Sequence, residues 1–221
     1  MKLHGIHHIT AITSDAQKNI DFYSGLLGLR LVKTTVNFDD PQSYHLYYGD
    51  ESGRPGSART FFAWPGAPRG TIGSSQVLVT SFSVPKDSLP YWAKRLSDAK
   101  ILMHHSVESR VISFTDPDGM RLELVERSER GEFLPWAASE VTVEHAVHGF
   151  AGVTLSAMRA TQTKELLSNV LGAEFIGDSD ERLTFPDDPA KASIKLDTST
   201  VAHGRLGAGV VHHVAFRVPD D

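Results

Sequence analysis

Two stretches of this 221-residue sequence carry histidine in adjacent pairs: Gly5-Ile6-His7-His8-Ile9-Thr10-Ala11-Ile12 and Val210-Val211-His212-His213-Val214-Ala215-Phe216. Each is short, mostly apolar and rich in β-branched residues, the composition of a strand. An imidazole in such a strand is either a core residue satisfied by backbone carbonyls or a residue that holds something, and neutral imidazole is the commonest protein ligand for metal ions. The recurrence of the pair at the same place in a repeat favours the second reading, with one site built from two distant parts of the chain. Side chains alternate along a strand, so Thr10 and Ala215 share a face with His8 and His213, while His7 and His212 are expected to point away. With no cysteine in the sequence, thiolate ligands and disulfides are excluded, and any metal must sit on histidine and carboxylate.

The rest of the composition narrows the partners. The net charge is −5 and the 22 lysines and arginines are scattered, so nothing points to nucleic acid or to an anionic membrane surface. Apolar residues make up 40% of the chain, enough for one large or two small cores. No long apolar targeting region precedes the first strand and no run of 18 apolar residues occurs anywhere in the sequence, which predicts a cytoplasmic protein; the scattered charge makes small-molecule ligands the default.

Elements that would position the histidines repeat along the chain. After the first strand, Ser14 is a candidate N-cap, Ala16, Ile20, Tyr23 and Leu27 fall at helical spacing, and Gly28 closes the helix. Strands are predicted at 29–36, 43–48 and 58–63, separated by turn clusters such as Asp39-Asp40-Pro41 and Gly53-Arg54-Pro55-Gly56. The unit is βαβββ. It returns with a strand at 76–85, a helix from Ser88 to Ala99, and strands at 111–114 and 121–125 joined by Asp116-Pro117-Asp118-Gly119. A third unit starts at Gly149, runs through a helix from Thr163 to Leu171 and reaches Gly172-Ala173-Glu174-Phe175-Ile176. His8 to Gly28 and Gly152 to Gly172 are the same step of 20 residues, so Gly152 takes the place of His8 in the third unit. Aligning Val84-Pro85 with Val218-Pro219 puts Val79 in that place in the second. The four equivalent positions are His8, Val79, Gly152 and His213, and only the outer two can bind metal. The organisation that follows is a first pair of modules over 1–130 (1–70 and 74–130), a linker over 131–147, and a third module with the first strand of a fourth over 148–221.

Tandem βαβββ modules with histidine on the first strand, and Asp116-Pro117-Asp118-Gly119 before a strand containing Glu123, resemble the vicinal oxygen chelate superfamily of glyoxalases and extradiol dioxygenases, an α+β fold. Within it, Gly5-Ile6-His7-His8-Ile9-Thr10, Tyr44-His45-Leu46-Tyr47-Tyr48 and His212-His213 are most similar to dioxygenases that open hydroquinone rings. The resemblance covers nearly the whole chain. It implies that modules one and four pair around a metal while two and three pair without one. It also implies Fe(II), with Mn(II), Zn or Ni as alternatives, held by His8, His213 and a glutamate from the last strand of module four. The offset from Val79 to Glu123, taken from His213, runs past Asp221, so that third ligand is expected beyond Asp221 and the fourth module is read as truncated. The substrates implied are a small aromatic diol and O2, with both oxygen atoms entering the cleaved ring.

Each lesser candidate has a plainer alternative. Thr10 lines the pocket or simply packs, and His7 and His212 orient ligands through hydrogen bonds or are structural. His45, Tyr47 and Tyr48 line the pocket or belong to the core. Glu123 stands where the superfamily places a carboxylate ligand, but its module has Val79 and its partner module Gly152, so it is not expected to bind metal. His104-His105 matches no position in the repeat and is read as a solvated turn. An apolar concave face left without its partner module would favour a homo-oligomer. Two other functions fit the scaffold: a Ni- or Zn-dependent isomerase or lyase of the glyoxalase type, and a non-catalytic protein that sequesters an aromatic compound.

Overall fold

The computed structural model describes residues 2–36, 43–128, 133–177, 181–200 and 202–219. The predicted turn Asp39-Asp40-Pro41 and the start of the predicted linker lie outside the described residues. In the first module, β1 (Ile6–Thr13) leads into α1 (Ala16–Ile20), followed by β2 (Arg30–Val36), β3 (Tyr44–Gly49) and β4 (Ala58–Ala63). The second contains β5 (Val77–Pro85), α2 (Leu89–Asp98), β6 (Met103–Ser106), β7 (Val111–Thr115) and β8 (Arg121–Arg127). Next come β9 (Phe150–Ser156), α3 (Ala160–Glu165), β10 (Glu174–Phe175), β11 (Arg182–Thr184) and β12 (Ser193–Asp197), and then β13 (Val211–Phe216).

The strands form two sheets, in the orders β13-β1-β4-β3-β2 and β10-β11-β12-β9-β5-β8-β7-β6. The outermost His strand has thus joined the first module, and the second and third modules share the other sheet. Ile9, Ala11, Leu46, Tyr48 and Phe61 turn one face of the first sheet onto Phe22, Tyr23 and Leu27, all buried. In the second sheet Leu122 and Leu124 meet Trp92 and Leu96 of α2 in the same way. Fully burying side chains of this size contributes about 1.5–3 kcal/mol each, which is why the period-2 and period-3.6 patterns were legible.

Local details depart from the sequence reading. Ser14 does not cap α1: the Asp15 carboxylate accepts from the N–H groups of Gln17 and Lys18, and the Ser14 hydroxyl donates to Asp118 at 2.6 Å instead. The helix widens into a π-helical turn over Asp21–Leu26, where Leu27 N–H donates to Phe22 O, before Gly28 stops it at φ +71°. The third helix begins earlier than expected and also ends in a π turn, Leu166–Val170. His104-His105 is not a turn but lies on β6, an edge strand paired with β7. Both side chains are exposed, so the strand has no apolar alternation to betray it.

Candidate metal centre

β1 and β13 run antiparallel, with His8 opposite Ala215 and Thr10 opposite His213. Two register shifts interrupt the pairing. Ile6 faces Phe216 and His8 faces Ala215, which leaves His7 as an extra residue in β1; Thr10 faces His213 and Ala11 faces Val211, which leaves His212 extra in β13. A bulge of this kind breaks the alternation and re-aims side chains. His7 and His212 therefore do not point away, as alternation predicts. His7 Nδ1 lies 2.9 Å from His8 Nδ1, and His212 Nδ1 lies 2.8 Å from His213 Nδ1.

The inner histidines converge across the strands. His8 Nε2 and His213 Nε2 are 3.1 Å apart, so the four imidazoles form one chain, His7, His8, His213, His212, joined nitrogen to nitrogen. Buried Thr10 lies beneath it, its Oγ1 3.0 Å from His213 Nε2 and 2.7 Å from Thr60 Oγ1 on β4. Nothing in the sequence marked Thr60. It stands beside Thr10 because β1 and β4 are parallel neighbours, a pairing that no local pattern reveals.

Burial, followed by the charges His7, His213 and His45 would carry, pushes the pKa of His8 down to about 4. Burial and His212 lower His213, and burial with Arg217 lowers His7. Near neutral pH the inner pair is accordingly uncharged, the form in which imidazole offers a lone pair. His45, also lowered to about 4 by burial and then by His213 and Lys33, sits on the same sheet, its Nδ1 2.8 Å from the Tyr47 hydroxyl. Phe62 packs against both His45 and His212, with ring centroids 4.6 and 5.3 Å away, and stacks on Trp64. Tyr48 belongs to the core: it is fully buried and donates to Asn19 Oδ1. A cleft of about 940 Å³ borders His212 and His213, with Val211, Val214, Phe216, Met158 and Leu206 among its apolar walls.

The donor set fits a metal ion. Two nitrogens bound to one ion at ~2.1 Å with an angle near 95° stand about 3.1 Å apart. The observed separation matches that requirement. No group of three or more His, Asp or Glu side chains suited to a metal occurs among the described residues, so the pair supplies two donors and not three. Glu123 is elsewhere, on the other sheet, where it accepts a hydrogen bond from Ser81 Oγ at 2.7 Å.

Residues 5–124 match the family described as the glyoxalase/bleomycin resistance protein/dioxygenase superfamily. The chain belongs to that superfamily, and the curated relatives it matches carry the names of dioxygenases. It is 46% identical over 224 residues to the protein of Bacillus subtilis named "Putative ring-cleaving dioxygenase MhqO", covering 100% of this chain and 71% of that protein. It is 31% identical to the chlorohydroquinone/hydroquinone 1,2-dioxygenase of Sphingobium indicum, covering 99% of this chain and 72% of the relative. A crystal structure of a Bacillus subtilis protein described as a "putative dioxygenase" superposes with a TM-score of 0.91 at 45% identity, over 100% of this chain and 72% of the other.

Proposed function

We propose that the chain serves ring-cleaving oxygenation of an aromatic diol of the hydroquinone or catechol class, with His8 and His213 as ligands to Fe(II). The observation that carries this reading is the 3.1 Å approach of two neutral imidazole Nε2 atoms from opposite parts of the chain, beside an aromatic wall. Fe(II), when bound, supplies a redox centre with open positions at which diol and O2 can be brought together.

The chain's own residues prepare that centre. For both Nε2 atoms to be bare, the ring protons of His8 and His213 must sit on Nδ1, where His7 Nδ1 and His212 Nδ1 stand ready to accept them. Each bulged histidine so holds its neighbour in the ligating tautomer. Thr10 is fixed by Thr60, and its hydroxyl is positioned to hold a substrate oxygen when the lone pair of His213 Nε2 is otherwise engaged. The rings of Phe62, His45 and Tyr47 form a surface on which an aromatic substrate can lie, and the cleft beside β13 opens next to His212 and His213.

Fe(II) titration under anaerobic conditions, followed by O2 uptake with hydroquinone and catechol, tests the proposal. Two neutral imidazoles alone hold Fe(II) weakly, so weak binding that His8→Ala and His213→Ala each abolish is the expected result for the described residues. Tight stoichiometric iron with O2 uptake would add a carboxylate, from this chain or a second copy, to the same pair. Iron binding indifferent to both substitutions would overturn the reading. So would turnover with Ni or Zn and no O2 consumed, which would favour an isomerase or lyase.

A further inference from the structure

The two sheets repeat one plan down to their irregularities. Across β1 and β13, His8 faces Ala215 and Thr10 faces His213; across β5 and β9, Val79 faces Thr154 and Ser81 faces Gly152. The register shifts also correspond, Ile6/His8 with Val77/Val79 and Thr10/Ala11 with Ser81/Phe82. On the parallel side Thr10 aligns with Thr60, and Ser81 aligns with Glu123. The hydroxyl pair Thr10–Thr60 at 2.7 Å thus has a counterpart in Ser81–Glu123, also at 2.7 Å.

At this second seam the imidazoles are replaced by Val79 and Gly152, so it offers no metal pair. It does keep a cleft, of about 440 Å³, with Ser81, Glu123, Thr154, Arg182, Ser193 and Lys195 among its lining residues. Arg182 and Lys195 are direct cross-strand neighbours on β11 and β12. Like charges in that position destabilise a sheet pair unless a counter-charge joins them, and neither has an ion-pair partner among the described residues. Both cations are exposed, but they line the same cleft as the fixed Ser81–Glu123 pair, so an anion held there would supply the counter-charge they lack among the described residues.

We propose that this second cleft binds a small hydroxylated organic anion without a metal ion. Arg182 and Lys195 receive its carboxylate, and the Glu123 carboxylate, held by Ser81, accepts from its hydroxyl. The arrangement repeats the register of the first site, with Val79 and Gly152 where that site has its histidine pair and with cations lining the cleft.

Calorimetric titration at low ionic strength with malate, succinate and inorganic phosphate as probes, in the presence of a chelator, tests the assignment. Malate is expected to bind one to one. Arg182→Gln with Lys195→Gln should weaken it about tenfold or more, and Glu123→Gln should erase its advantage over succinate, with circular dichroism unchanged in each variant. The proposal is overturned if malate shows no saturable binding, if the double variant binds as the wild type does, or if succinate or phosphate matches malate. Loss of malate binding in His8→Ala would also overturn it, by placing the anion at the other site.

Discussion

At the scale of single residues, the candidate centre depends on which nitrogen of each ring carries the proton. His7 and His212 are exposed, yet each presents Nδ1 to Nδ1 of an inner histidine. Replacing either with Phe keeps a ring but removes the acceptor, and metal affinity is expected to fall about 10–100-fold with the fold intact; competition with a metal-sensitive dye measures it. Titration of His8 gives a second expectation. Its folded pKa, about 4, lies below the ordinary 6.5, so unfolding takes up a proton between these values. The stability this contributes is complete above pH 6.5 and is lost as pH falls towards 4. Urea unfolding across that window should show the metal-free wild type losing more stability than His8→Gln; parallel curves would refute the assignment.

At the scale of elements, the seam between the first and second modules rests on a buried polar group. Asp116, at the turn before β8, accepts from Met120 N–H at 2.8 Å and from the Tyr23 hydroxyl at 3.1 Å, with buried Arg59 alongside. Burial dominates and pushes its pKa up to about 6, against the lowering effect of the Met120 hydrogen bond. The sign is opposite to that of His8. The folded form holds its proton more tightly than the unfolded one, so this stability is present below about pH 3.8 and is lost as pH rises through about 6. Asp116→Asn, which keeps an oxygen for Met120 N–H, should gain on the wild type as pH rises from 4 to 7, by on the order of 1–3 kcal/mol in chemical denaturation. A constant difference between the two would show that Asp116 is ionised throughout.

For the molecule as a whole, the two sheets are unequal in protection. β5 lies between β8 and β9 in the eight-stranded sheet, whereas β13 has a partner on one side only and carries half of the candidate centre. Edge strands open at lower free energy than central ones, so amides of β13 and β2 should exchange with deuterium before those of β5, β8 and β9. Mass spectrometry of peptic fragments reads the order. Iron should slow exchange in β13 and β1 together if His8 and His213 share the ion. No helix among the described residues is long and apolar enough to cross a membrane.

Much of this was legible in the chain itself. Period-2 and period-3.6 patterns are local, so the βαβββ units and most strands could be read directly, and a step of 20 residues sufficed to equate His8 with Gly152. The register of β5 with β9 agrees with that equation and with the place given to Val79. What the sequence could not carry is anything that depends on the neighbouring strand. A bulge exists only relative to a partner, which is why His7 and His212 were expected on the wrong side. Thr60 and Glu123 occupy equivalent registers, but intervening loops of unequal length hide this from a fixed offset. Only the folded sheet decides that Tyr48 is core while the Tyr47 hydroxyl lies against His45, and only it brings two nitrogens from distant parts of the chain within 3.1 Å, because backbone pairing between β1 and β13 sets that distance.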